Sequence, residues 1–243
     1  MKLDLQEQKL LDAGMTFLVD PTSAEIPESE RDAVRRGFGR QGFSTMKGLA
    51  CTIARADQVT LIVTNGPLER QTIRHEFIHC AQVYASQETM SACLEAAEAL
   101  GRQIISAVRE AIAIDSTKES KGHRDLLRIT TAWEFTKEQG TNAAPPPNAL
   151  FDDLSSYYPT PDTGSLAASL GLTDPEGVYA AMTAAVLQEV GFAIEPDCDL
   201  AREIVAYTFQ SLIHSSVDDL FTDAIDRARA LAEELQFGDT LRH

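Results

Sequence analysis

Hydrophobic positions recur along this chain with two different periods, and the change from one to the other divides it. Near the N-terminus the runs are short and rich in β-branched residues. "MTFLVD" (15–20) predicts a strand, and "KGLACTIARADQVTLIVTNGP" predicts two more, over 48–54 and 58–64. A polar turn separates that pair and Asn65-Gly66-Pro67 closes it, which predicts a hairpin or neighbouring sheet strands. Between the first strand and the pair, "ESERDAVRRGF" (28–38) predicts a charged, partly amphipathic helix.

From residue 67 onward the helical period takes over. Pro67 suits a first helical turn, with Glu69 near the positive end of the dipole, and predicts a helix from about 67 to 85. Met90, Leu94, Ala97, Ile104, Val108 and Ile112 predict a second over 87–114. Leu126, Ile129 and Trp133 predict a third over about 122–138, stopping at Gly140. Three successive prolines in "TNAAPPPNA" (141–149) exclude helix and central strand there, and an irregular loop is expected up to about 172. Thr173-Asp174-Pro175-Glu176 has the spacing of a capping box with an early proline, and opens a helix expected to end at Gly191. One or two further helices are expected over 199–236. The predicted class is α+β, predominantly helical, with a small N-terminal sheet packed beside the 67–85 helix. The expected organisation is a core over 1–140, a Pro-rich loop or lid over 141–172, and a helical part over 173–243 completing the same domain.

Composition narrows the function. With 243 residues, 44% hydrophobic and 24% charged, the chain has the balance of a soluble globular protein large enough for an enzyme. Its formal net charge of −16 would repel nucleic-acid phosphates and anionic lipid, so neither nucleic acid nor membrane is an expected partner. No apolar run approaches the roughly 18 residues of a membrane span. "MKLDLQEQKLLDAG" has no basic region followed by a continuous apolar stretch, so no secretory signal is expected and a cytoplasmic address is the default. Cys51, Cys80, Cys93 and Cys198 form no C-x-x-C pair and are expected as reduced thiols.

The chemistry concentrates in "RHEFIHC" (74–80), where His75, Glu76 and His79 have the spacing H-E-x-x-H. On a helix, residues four apart stand one above the other, so His75 and His79 can aim two imidazoles at one point. Glu76, one position on, can reach a water on that metal without ligating it. Two nitrogens hold zinc and a carboxylate takes the proton. At about 100° per residue, Gln82 shares the histidine stripe, while Phe77, Ala81 and Tyr84 fall on the far side.

"RHEFIHCAQ" resembles the active-site helix of the zincin metallopeptidases, in an H-E-x-x-H-x-x-Q variant found in small bacterial and phage-type members. The resemblance covers some ten residues. It implies a zincin-like fold with an edge strand beside the helix to hold an extended peptide. A third histidine at the metzincin spacing is missing, which argues against that branch. The gluzincin branch is implied instead, with a glutamate from elsewhere as third ligand and one open position for water.

Glu203 is the first choice for that ligand. "REIVAYTFQSLIH" (202–214) carries Glu203, Ala206 and Phe209 in an E-x-x-A-x-x-F pattern similar to third-ligand helices of phage-repressor-type zincins. On this helix Glu203, Tyr207, Gln210 and His214 fall within one stripe, opposite Val205, Thr208 and Leu212. Glu134 is the second choice, and Glu95, Glu98 and Glu110 remain open. Tyr207 and His214 are candidates to stabilise an oxyanion, with Tyr157 and Tyr158 behind them. The leading expectation is therefore a zinc metallopeptidase acting on a peptide or protein. A non-catalytic zincin-fold binding protein and an acidic nucleic-acid mimic are the alternatives.

Overall fold

The structure is a computed structural model that describes residues 3–32, 34, 50–55, 57–64, 69–114, 168–189, 191 and 193–240. It is predominantly helical with a small three-stranded sheet, as the periodicity predicts. Two compact units form, one of Met1–Thr89 with Val217–His243 and the other of Met90–Ser216. Among the described residues no helix is long and apolar enough to cross a membrane. The helix expected over 122–138 and the Pro-rich segment 141–149 lie outside the described residues.

In the first unit, β1 (Thr16–Val19), β2 (Ala50–Ala54) and β3 (Thr60–Thr64) pair in the order β1-β3-β2. β2 and β3, expected as a hairpin or as neighbouring sheet strands, pair antiparallel with Thr52 opposite Ile62, while β1 runs parallel to β3 with Leu18 opposite Ile62. Side chains alternate across a strand. Leu61 and Val63 accordingly pack on one face with Ile26 and Val34. Ile62 is also fully buried, so the central strand is covered on both faces. Of the helix expected over 28–38, residues 28–32 are helical.

The opposite face of the sheet carries the helix with the H-E-x-x-H motif. After α1 (Leu5–Asp12), this helix is α2 (Arg70–Tyr84). It begins later than the predicted residue 67, with Glu69 as an extended cap residue whose side chain makes no capping bond. Ile73, Phe77, Ile78, Cys80, Ala81 and Tyr84 are all buried. Burying each large apolar member is worth about 1.5–3 kcal/mol, which sets the helix on the sheet. Polar contacts then fix it at both ends. The Tyr84 hydroxyl donates to the Met15 carbonyl at 2.6 Å and lies 3.1 Å from Thr60 Oγ1, which is 2.8 Å from Thr16 Oγ1. At the other end Arg70 binds Glu7 at 2.6 Å and Asp4 at 2.7 Å, and Arg74 binds Asp4 at 2.7 Å. Asp4 and Glu7 are themselves locked by a reciprocal capping box at the start of α1.

A half-buried junction also ties the first unit together. α6 (Ser215–Thr240, the last helix) presents Asp223, whose Oδ2 accepts from the Ser86 backbone N–H at 2.7 Å and the Thr89 hydroxyl at 2.9 Å. Arg227 adds a bond to Oδ1 at 2.7 Å.

The second unit contains most of α3 (Gln87–Ile114), with α4 (Pro175–Glu189) and α5 (Asp199–Phe209). Met90, Leu94, Ala97 and Ile104 are buried, as their spacing predicts. Residues 177–187 of α4 are buried on every side, which makes α4 the central helix of this unit. Its cap is Asp174 rather than Thr173: Asp174 Oδ1 accepts from Gly177 N–H at 2.6 Å. Proline has no N–H to offer and fits the first helical position, so the residue before it must be the cap. The helix stops two residues before Gly191, which has φ +77° and donates to the Gln188 carbonyl at 2.9 Å.

Two predictions come from these contacts. A Cβ on Gly101 would fall 1.9 Å from the Ala181 carbonyl oxygen, a backbone atom that cannot rotate away. Gly101→Ala gains about 1 kcal/mol of helix propensity, but the overpacking costs about 1–3 kcal/mol or more. Urea unfolding should show a net loss, and a gain in midpoint would refute the close approach. For Asp223, burial raises the pKa, but the bonds from Ser86, Arg227 and Thr89 outweigh it and hold the carboxyl at about 2, below its ordinary 3.8. A depressed carboxylate stabilises the fold above its unfolded value, and that contribution is lost as pH falls from about 3.8 to about 2. Asp223→Asn should lower the melting temperature at neutral pH by about 2–4 °C, equivalent to about 1 kcal/mol in a chain of this size. It should also flatten the pH dependence in that acid window. Parallel melting-temperature curves for variant and wild type would count against this account.

Candidate metal centre

The burial of Phe77, Ala81 and Tyr84 fixes the rotation of α2 about its axis and so decides where the motif points. His75 and His79 fall on the opposite side and are half-buried. Their Nε2 atoms lie 3.0 Å apart, with ring centroids 4.6 Å apart and planes at 81°. Two nitrogens bound tetrahedrally to one zinc at ordinary bond lengths stand about 3.3 Å apart. The pair therefore converges to within a few tenths of an ångström of that spacing. The other ring nitrogen of His79, Nδ1, lies 3.0 Å from the Gln82 side-chain oxygen, and Gln82 is buried.

Glu76 occupies the boundary between these two sides and is 7% exposed. The Thr52 hydroxyl on β2 lies 2.7 Å from Glu76 Oε2 and 3.1 Å from the Glu76 backbone carbonyl. The register of β2 places Thr52 opposite Ile62, on the sheet face that carries α2. The shorter contact gives the carboxylate a fixed donor on one oxygen and leaves Oε1 for other chemistry. Cys80, next to His79, is fully buried, and burial foremost pushes its thiol up to about 12. It stays a neutral packing residue; Cys93 is a buried free thiol, and Cys198 is a free thiol whose Sγ caps α5 by accepting from the Ala201 N–H at 3.4 Å.

Glu203 lies on α5, half-buried, one position before the buried Ile204 and Val205. One potential ligand atom from each of His75, His79 and Glu203 lies within 4.8 Å of the others, so the three could hold a metal ion. Two imidazoles and one carboxylate are a donor set that zinc accepts in open, three-ligand sites. Tyr207 is also on α5, one turn beyond Glu203, and is half-buried.

The predicted continuous stripe to His214 is interrupted, because α5 ends at Phe209. Gln210 is drawn to the start of α4, donating to Asp174 at 3.0 Å and Glu176 at 3.0 Å, and Ser211 Oγ also donates to Asp174. Those bonds turn the chain out of the helix. His214 consequently sits outside the helix, its ring 5.3 Å from that of Phe209 and its Nδ1 accepting from the Ser216 N–H at 3.2 Å. Among the other carboxylates considered, Glu95 is exposed and Glu98 is paired with Arg102 at 3.4 Å. Glu134, Tyr157 and Tyr158 lie outside the described residues, as does the Glu110 side chain.

Comparison with protein-family models, with curated proteins and with solved structures finds no match in any of the three. The site is thus read from its own geometry. Two of its residues had no role in the sequence reading. Thr52 gave no signal, being one threonine in a β-rich run. Gln82 was visible on the histidine stripe, three residues past His79, and its spacing was the available clue.

Proposed function

We propose that this chain is a zinc-dependent metallopeptidase of zincin type, with His75, His79 and Glu203 as ligands and Glu76 as general base. The observation that carries the reading is the convergence of the two Nε2 atoms at 3.0 Å beside a carboxylate already held by a hydroxyl donor. A zinc ion held there supplies Lewis acidity, acidifying water and polarising a carbonyl. Glu76 Oε1 takes the proton from the attacking water and returns it to the departing amine, so the C–N bond breaks and the carboxylate is regenerated. Thr52, bonded to Oε2, keeps Oε1 turned to that task. Among the described residues β2 lies at one edge of the sheet order β1-β3-β2, and we assign it the alignment of an extended peptide. Tyr207, one turn from Glu203, is the donor we assign to the oxyanion. His214 is given no role in this reading; its Nδ1 accepts from the Ser216 N–H at the start of α6.

The deciding experiment combines metal analysis with digestion of a mixed peptide library, read by mass spectrometry. Wild type should carry one zinc and cleave peptides. Glu76→Gln should keep the zinc and lose at least about a hundredfold in rate. Glu203→Ala should lose zinc where Glu134→Ala does not. Zinc-loaded wild type that cleaves nothing, or undiminished cleavage by Glu76→Gln, would defeat the proposal and favour a binding role.

A subtler variant tests the threonine. Thr52→Val keeps the shape but removes a bond to a charged acceptor, and should lower kcat about tenfold with KM and zinc content little changed. Thr52→Ser should restore most of the rate. Equal losses in valine and serine variants would show that packing, not the hydroxyl, matters at this position.

A further inference from the structure

The two histidines of the candidate centre are not equivalent, and the difference lies in what each ring nitrogen faces. Gln82 Oε1 can only accept, so its 3.0 Å contact with His79 Nδ1 places a proton on that nitrogen. A neutral imidazole carries one ring proton, so His79 Nε2 then presents a lone pair. That lone pair faces His75 Nε2 at 3.0 Å. Two lone pairs do not approach so closely unless a proton or a cation lies between them. When it is a proton, it belongs to His75 Nε2.

We infer that Gln82 is a positioning residue that commits His79 to metal binding through Nε2, so that His75 alone must move its ring proton when a cation enters. The inference rests on the metal-centre reading above but not on peptide hydrolysis. Gln82 is three residues from His79 on the same helix, so the acceptor is in place as soon as α2 forms. It is also 6% exposed, which limits competition from water. His79 would bind without rearrangement, while the His75 proton passes from Nε2 to Nδ1.

The test uses the full chain with ¹⁵N-labelled histidine, followed by long-range ¹H–¹⁵N correlation at about pH 8.5, above the ordinary imidazole range. Zinc is the titrant. His79 should show the Nδ1–H tautomer before and after zinc, and His75 should change from Nε2–H to Nδ1–H. By chelator competition, Gln82→Leu should weaken zinc binding about 10–100-fold. Gln82→Glu keeps an acceptor and should stay close to wild type, with melting curves confirming that each variant folds. Wild-type His79 in the Nε2–H tautomer would overturn the inference without any variant. So would equal zinc loss in the leucine and glutamate variants, or a His75 that keeps Nε2–H with zinc present. If tautomers and affinities behave as expected while no peptide is cleaved, the inference stands and only the peptidase reading falls. Failure of wild type to take up zinc would remove both.

Discussion

The angle at which α2 rolls onto the sheet determines nearly everything about the site. Ile73, Phe77, Ile78, Ala81 and Tyr84 must be dry, and a helix advances about 100° per residue, so the rotation has one good solution. Turning the helix by a single position would bring Phe77 toward water at a cost of about 1.5–3 kcal/mol, with neighbours adding similar amounts. A single hydrogen bond contributes about 1 kcal/mol net. Apolar burial therefore chooses the rotation, and the polar contacts refine it. With that rotation fixed, His75 and His79 stand away from the sheet and Glu76 meets Thr52 at the margin.

Translation along the helix axis needs separate control, since an apolar stripe tolerates sliding better than it tolerates rotation. The two ends of α2 supply it. Tyr84 reaches a strand-end carbonyl, and Arg70 and Arg74 reach the capping box of α1, more than sixty residues away in sequence. Glu7 is fully buried while its partner Arg70 is exposed, and burying a charge gains little for stability alone because desolvation offsets the attraction. Its use here is geometric: one oxygen closes the capping box and the other takes Arg70, so α1 and α2 are set in register.

Features that depend on local periodicity were legible in the sequence: the two strands before the motif, the 87–114 helix and the motif helix all emerge from local spacing. Glu203 was reached by stripe and resemblance together; with His75 and His79 it forms a group that could hold a metal ion, and its role as ligand belongs to the proposal. What was not legible depends on side chains from distant segments. Nothing local ends α5 at Phe209, because Gln210-Ser211-Leu212 contains no breaker. The stop comes from Asp174 and Glu176, which capture Gln210, with Ser211 also bound to Asp174. Thr52 is likewise meaningful only once β2 is placed under α2. The cap at Asp174 differs in kind, because its cause is local: Pro175 has no N–H and fits the first helical position, which shifts the cap from Thr173 to Asp174.

The surroundings of Glu76 explain why one threonine can matter there. Cys80, one turn along and on the sheet side, has its thiol pushed to about 12 chiefly by loss of solvent, so this margin of the helix is a place of low effective dielectric. Hydrogen bonds to charge are stronger in such surroundings than in water. Thr60, on the same sheet face, has its hydroxyl committed to Thr16 and Tyr84, where it serves the fold. Thr52 instead turns its hydroxyl to a carboxylate, beside two converging imidazoles. A valine there would satisfy the same packing. The hydroxyl is therefore best understood through the carboxylate it orients, and the dry sheet that seats the helix is also what gives that single bond its strength.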